Sequence, residues 1–474
     1  MFCLLQPYLK KLLRCLRRIQ LKYVCATVGV IMMLDVFGAF THIFEVPYND
    51  NFIYPYHGDI QPFIEALRHK KKPEVEPINE YNYTFIHNPK DKCVDPDFRT
   101  LQFVFLVKSA TKNFDRRKGI RNSWGFGKRF FDVPTRLLFL LGTNGGDHNL
   151  VEKINEESEK FKDILQADFV DTYYNNTLKT MMGFKWAVEH CTNAKFYMFV
   201  DDDIYVSVKN VLRFVRNPAS YPDYLKEPSR MAARKREIKH SDMVTDEIEL
   251  EPHNSKNESF PPTKLAESSI ETKSSDNSKT SRPSNKTEQI TLSTTEKSTT
   301  NLRNLSADFP DVDKKLEYYT ESLKNETPTI NNIERKKRQV FDLELPEDVR
   351  LFAGYVFVSS PHRHRTSKWY VSLKEYPYHL WPPYITAGSY VLSKEALLDM
   401  YYASLYTQHF KFDDIFLGIV AKKADIEPFH CDEFHFYKKD YTKYNYKYVI
   451  TSHGYDDPKE LISVWQEQKS LGNA

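Results

Sequence analysis

The run Ala194-Lys195-Phe196-Tyr197-Met198-Phe199-Val200, followed at once by Asp201, Asp202 and Asp203, constrains this chain most. Aromatic and apolar residues in a stretch this short read as a buried parallel strand. In α/β sheets the carboxyl ends of strands are where ligands are handled. Three adjacent acids there repel one another unless a cation sits between them. Hard oxygen donors of this kind suit magnesium or manganese bridging a diphosphate. A solvated acidic turn has the same tripeptide, so the surrounding chain has to decide.

That chain alternates strand and helix. Leu101–Val107 and Arg136–Gly142 read as strands, with a helix over Asp115–Trp124 between them. A polar-faced helix over Ile154–Phe161, a short strand at Asp168–Val170 and a helix over Leu178–Cys191 then lead to the acidic strand. This order predicts an α/β fold with a parallel sheet. Further on, Val349–Val358 and Ser389–Leu392 read as strands, and Ser393 is placed to cap a helix running to Tyr406. Phe412–Gly418 opens another helix with Asp413 and Asp414 in its first turn, where the dipole favours negative charge.

The net charge of +3 on a chain that is 28% charged gives no argument for a nucleic-acid partner. Residues 1–22 carry six Lys/Arg and no acid, and precede a mostly apolar stretch over 23–44 broken by Asp35. This pattern predicts a cytosolic tail and a transmembrane signal-anchor, hence a type II protein with a lumenal carboxyl portion. A cleaved signal peptide is the rival, and the basic leader is long for one. Six sequons, at Asn82, Asn175, Asn257, Asn285, Asn304 and Asn325, all follow the apolar stretch, as lumenal glycosylation requires. Residues 45–100 read as a stem. Residues 217–346 are rich in Ser, Thr, Lys, Glu and Asn and cannot offset their ordering entropy, which predicts a disordered insertion between catalytic parts 101–216 and 347–474. Within it, Arg335-Lys336-Lys337-Arg338 is similar to a convertase cleavage site or is a solvated charge cluster. No two of the six cysteines form a CxxC pair, which points away from a zinc or thioredoxin-type site. Cys93, Cys191 and Cys431 lie beyond the apolar stretch, leaving room for one disulfide and one thiol, in an unspecified pairing.

Several blocks together resemble the β-1,3-glycosyltransferase family of galactosyl- and N-acetylglucosaminyltransferases. They are Arg117–Gly125 (similar to R-x-x-I-R-x-[ST]-W-G), Asp171–Thr180, the acidic triplet, Ser367–Ser372, Trp381–Ser393 and Phe412–Gly418. Much of the family has Cys-Ser-Gly-x-Gly-Tyr where this chain has Ile385-Thr386-Ala387-Gly388-Ser389-Tyr390, so the family's disulfides do not carry over.

The resemblance implies a GT-A, Rossmann-like catalytic domain with a UDP-sugar donor. Asp203 is then the first choice as ligand to manganese or magnesium, with Asp201 and Asp202 helping to hold ribose or metal. His453 matches a metal- or diphosphate-contacting histidine. Arg117 and Arg121, four apart, share a helix face and are candidates to grip the nucleotide; a solvated basic face is the bland alternative. Lys179 is a weaker candidate of the same kind. Asp414 is the expected catalytic base, with Asp413 as fallback, because inverting transfer needs one carboxylate to take the acceptor proton. Trp381 and Tyr384 are candidates to stack on acceptor sugars, although core packing explains them almost as well. The implied function is a Golgi β-1,3-transferase using UDP-N-acetylglucosamine, with a mannosyl-glucosyl-ceramide acceptor favoured. UDP-galactose with a glycoprotein or glycolipid acceptor is the alternative. A non-catalytic lumenal partner of another transferase and a secreted precursor cut at Arg338 are the readings outside that class.

Overall fold

The computed structural model describes residues 21–48, 52–127, 133–226, 345–346 and 348–474. The insertion's four sequons, at Asn257, Asn285, Asn304 and Asn325, and the run Arg335–Arg338 lie outside them. In chain order the strands are β1 (Phe85–His87), β2 (Leu101–Lys108), β3 (Thr135–Thr143), β4 (Ile164–Val170), β5 (Ala194–Asp201) and β6 (Ile204–Val206). After the insertion come β7 (Phe352–Phe357), β8 (Tyr384–Ser393), β9 (Phe429–His430), β10 (Phe434–His435) and β11 (Thr451–His453). One eight-stranded sheet has the order β1-β4-β3-β2-β5-β8-β7-β9, parallel from β4 to β5. Strand β8 then runs antiparallel to both β5 and β7. The expected α/β fold is present, as a mixed rather than purely parallel sheet.

Alternation along β2 places Val104 and Leu106 in one buried cluster and Phe103, Phe105 and Val107 in the other. The first layer is closed by the helices Asn176–His190, Lys394–Leu405 and Asp413–Lys423, and the second by Phe114–Arg121, Val208–Arg216 and Pro458–Ser470. Gly183 lets its helix lie on the sheet, since a Cβ there would come within 2.8 Å of Leu140 and 2.9 Å of Phe199. With both faces covered, β5 is buried from Phe196 to Val200 and meets polar surroundings again at the acids.

Three expectations change. Residues 45–100 are not a free stem. Tyr54, Ile60, Phe63 and Ile64 are buried, β1 pairs with β4, and the helix Gln61–Arg68 is tied to the helix Lys394–Leu405 by Arg68 with Glu395 and Asp399. Ile60 at the N-cap, with Phe63, Ile64 and Leu67, lines one face of the helix Gln61–Arg68 and covers core that would otherwise face water. Secondly, ordered structure runs past the expected boundary at 217, because Tyr221 packs on Phe214 and the helix Asp223–Lys226 follows. Thirdly, the apolar stretch 23–44 is a 16-residue helix, Leu21–Val36, and then a turn. No helix among the described residues is long and apolar enough to cross a membrane. Sixteen residues rise about 24 Å against a hydrocarbon core of about 30 Å, and residues 1–20 lie outside the described set. Cys93 and Cys191 form the disulfide, with Cα atoms 5.4 Å apart, and Cys431 is a buried thiol.

Candidate active site

Strand β5 leads the three acids out of the core into three different environments. Asp201 faces Lys108, the last residue of β2, with Nζ to Oδ1 at 3.0 Å. Lys108 is buried and also donates to Asp413 Oδ2 at 2.9 Å and to the Ala387 carbonyl at 2.7 Å. Burial pushes the Asp201 carboxyl up to about 6, against the pull of Lys108. Asp202 is buried and saturated. It accepts from Ser109 Oγ at 2.7 Å, Asn113 Nδ2 at 2.9 Å and Arg116 Nη1 at 2.8 Å. These donors fix the turn after β5.

Asp203 is different. Its Oδ1 is buried with no hydrogen-bond partner and lies 3.6 Å from His453 Nε2. His453 arrives on β11, which pairs antiparallel with β6 so that His453 sits opposite Ile204. Trp124 holds that turn by donating Nε1 to the Ile204 carbonyl at 3.1 Å, and Tyr455 N–H donates to the Asp203 carbonyl at 2.8 Å. Burial raises the Asp203 pKa, opposed first by His453. A buried carboxylate oxygen without a donor costs free energy, and a divalent cation between it and the imidazole would remove that cost. The residues therefore fit a metal. Among the described residues no group of three or more His, Cys, Asp and Glu side chains is placed to hold one alone. Diphosphate oxygens would have to complete the shell, as they do where magnesium is held by one or two carboxylates.

The helix Asp413–Lys423 supplies the other acids. Asp413 is buried and committed, accepting from Lys108 and from Thr180 Oγ1 at 3.2 Å. Asp414 is half-buried and its Oδ1 accepts only the Ile415 N–H, at 2.8 Å. Burial and the neighbouring Asp413 push it up to about 7. Lys108 thus joins the two acidic groups, touching Asp201 on one side and Asp413 on the other. Gly388 lies between them and the histidine: a Cβ there would stand 4.0 Å from Asp201 Oδ2 and 3.9 Å from His453 Cδ2.

Other expected site residues lie elsewhere. Arg117 is wholly buried, bound to Glu157 at 2.7 Å, to Ser109 and to two backbone carbonyls. Arg121 pairs with Asp163 and Glu157. The shared face points at Glu157 and Asp163, so these two arginines hold the helix His148–Phe161 and the residue that leads into β4. Lys179 is also buried, between Asp171 at 2.8 Å and the Ser109 carbonyl at 2.7 Å. Trp381 is a core residue, its ring 4.0 Å from that of Tyr376 and 5.4 Å from that of Phe410. Tyr384 is only partly buried, stacks on Phe357 and bonds Ser359 Oγ at 2.9 Å. Of the two described sequons, Asn82 is exposed, while Asn175 donates to the Val170 carbonyl and its Thr177 hydroxyl is buried against Phe410 O.

Sequence reasoning passed over Lys108 and Arg116. A lone lysine closing an apolar strand was the signal for the first. For the second it was the i, i+3 spacing of Asn113 and Arg116, which brings both onto Asp202. It also passed over Tyr173, whose hydroxyl accepts from Trp369 Nε1 at 3.0 Å on an exposed aromatic rim.

A strand-end triplet of acids, with Asp203 beside an imidazole and Asp201 linked through a buried lysine to a second pair of acids, suits a nucleotide-sugar site, and comparison with known proteins agrees. The class is the glycosyltransferases. The Galactosyltransferase family matches residues 115–262 and 339–432, and the chain belongs to that family. The Drosophila melanogaster protein Beta-1,3-galactosyltransferase brn is 31% identical over 466 residues, 98% of each chain. Mouse Beta-1,3-galactosyltransferase 1 is 24% identical over 397 residues, 84% of this chain and 82% of its own. Human Lactosylceramide 1,3-N-acetyl-beta-D-glucosaminyltransferase is 39% identical over 140 residues, 28% of this chain and 36% of its own. The matched residues include the acidic triplet and Asp413–Asp414, and stop short of His453.

Proposed function

We propose that this enzyme is an inverting, GT-A-type β-1,3-glycosyltransferase that moves N-acetylglucosamine from its UDP donor onto a glycolipid glycan, with a mannosyl-glucosyl-ceramide as the favoured acceptor. The observation that carries the reading is the division of labour between Asp413 and Asp414. Asp413 is locked to Lys108 and Thr180, while Asp414 keeps an oxygen for an incoming hydroxyl and is poised near neutral pH. The acceptor oxygen attacks the anomeric carbon, the bond from that carbon to the diphosphate breaks, and UDP leaves with the electron pair. Asp414 takes the acceptor proton as the new bond forms. Lys108 holds Asp413 and Asp201 in register with each other. Arg116 fixes Asp202 and so the turn that presents Asp203. Asp203 and His453 would hold manganese or magnesium, which when bound neutralises the departing diphosphate as a Lewis acid.

A second reading has UDP-galactose as donor, favoured by the names of the two relatives matched over most of their length. The Golgi type II setting is part of the proposal. Its support is the basic leader, the sequons and a disulfide of a kind that persists in oxidising compartments. The test is a panel of UDP-sugars offered to the purified enzyme with a mannosyl-glucosyl acceptor, with and without manganese. Transfer from UDP-N-acetylglucosamine that EDTA abolishes is expected. Transfer from UDP-galactose alone selects the second reading, and undiminished transfer in EDTA removes the metal.

A further inference from the structure

We propose that the segment Phe37–Phe44 lies in the interface of the membrane and seats the acceptor edge of the catalytic domain against the bilayer, so that the enzyme works on short glycans carried by lipids of the same membrane. This rests on the reading of the helix Leu21–Val36 as the end of a membrane anchor. The segment is held to the domain at both ends. Partly exposed Asp35 pairs with Arg365 at 3.0 Å, the Val36 carbonyl accepts the Arg365 N–H at 3.1 Å, and Glu45 pairs with buried Arg363 at 2.7 Å. Gly38 packs so closely on Arg363 that a Cβ would meet its carbonyl oxygen at 2.6 Å. The apolar side chains turn outward, with Ile43 73% and Phe44 71% exposed and Phe37 and Phe40 beside them. Exposed aliphatic and aromatic residues continuous with an apolar helix, itself preceded by five cationic residues, match an interfacial anchor.

The same contacts reach the reaction centre. Arg363 and Arg365 belong to the loop that carries Lys368 and Trp369. Trp369 is four positions after Arg365, so their Cα atoms are at most about 14 Å apart. Trp369 in turn bonds Tyr173, and Lys411, two residues before Asp413, donates to the Tyr370 carbonyl at 3.0 Å. No flexible stem intervenes, because Val46 continues onto the domain through a bridge with Tyr378. A lipid headgroup of a few sugars can reach this edge from the membrane plane; a long stalk is not needed.

The experiment uses the full chain in phosphatidylcholine vesicles containing anionic lipid. One disaccharide acceptor is supplied either on a membrane-inserted alkyl chain or on a water-soluble aglycone. Ile43→Ser combined with Phe44→Ser removes only exposed apolar groups, so the fold should survive. Transfer to the anchored acceptor should fall about tenfold, while transfer to the soluble one changes less than twofold. Equal losses on both acceptors, or no loss, would overturn the proposal. Independently of activity, Phe44→Trp should add fluorescence that bromine-labelled acyl chains quench, relative to the unsubstituted chain. Absence of that quenching overturns the seat. Quenching in a chain that transfers no sugar to either acceptor instead rejects the functional reading and leaves the seat standing.

Discussion

At the scale of single residues the chemistry depends on protons. The Asp414 carboxyl is held near 7, so the base we propose is half-ionised at neutral pH, and kcat/KM should rise through an apparent pKa of about 7. The same shift affects stability. A raised carboxyl pKa means that the folded state binds more protons than the unfolded chain between about pH 4 and pH 7. Asp414 therefore weakens the fold as pH rises through that window. Asp414→Asn should raise the melting temperature above pH 7 and change it little near pH 4, which thermal denaturation at the two pH values checks. Asp413→Asn is expected to act in the opposite way, because it strips a partner from buried Lys108 and should cost about 1–3 kcal/mol of unfolding free energy in denaturant titrations. Asp203→Ala removes an orphaned oxygen and no hydrogen bond, so it should leave the melting temperature within a few degrees while abolishing manganese-dependent UDP binding in calorimetry.

At the scale of elements, burial direction decides which residues act. The helix Phe114–Arg121 puts Arg117 and Arg121 on the face toward Glu157 and Asp163, and Arg116 on the face toward Asp202. Arg117→Met should leave Glu157 buried without its main partner and cost about 3–5 kcal/mol, with KM for the donor nearly unchanged in the fraction that folds. A rise in donor KM without loss of stability would return Arg117 to the nucleotide site. This face was not legible, because the partner acids lie roughly forty residues further on and nothing local marks them. Strand β5 was legible to within one residue, Asp201 belonging to the strand, since an apolar run ending in acids carries its own boundary. Residues 45–100 were read as a stem although Ile60, Phe63, Ile64 and Leu67 carry a helical face, because that face is a single short helix among prolines and charges. The three-stranded sheet that brings His453 to Ile204 was equally hidden. Each of its strands has two or three residues, and a strand that short leaves no alternation to read.

At the scale of the whole molecule, a closed domain is interrupted by a long polar insertion. Described structure stops at Lys226 and resumes at Leu345, both on the second core layer and away from the acids. Lengthening a surface connection costs little closure entropy, so replacing residues 230–340 by a short flexible linker should leave folding and transfer intact. An inactive or aggregated product would show that the segment contributes to the site. The disulfide joins Cys93, in the supposed stem, to Cys191 at the end of the helix Asn176–His190, closing a loop with a sequence separation of 98. Its reduction should therefore loosen the fold by about 2–5 kcal/mol, seen as a lower midpoint in urea with reductant present.

The division between Asp413 and Asp414 is tested most directly by measuring UDP-sugar binding and turnover in the same Asp414→Asn preparation. Asparagine keeps the size of the side chain and removes its basicity. Donor affinity within twofold of the unsubstituted enzyme is expected, with kcat lower by at least about two orders of magnitude and the acid limb near pH 7 gone. Turnover within a few-fold of normal, or an acid limb that persists unchanged, would contradict the assignment of Asp414 as the base.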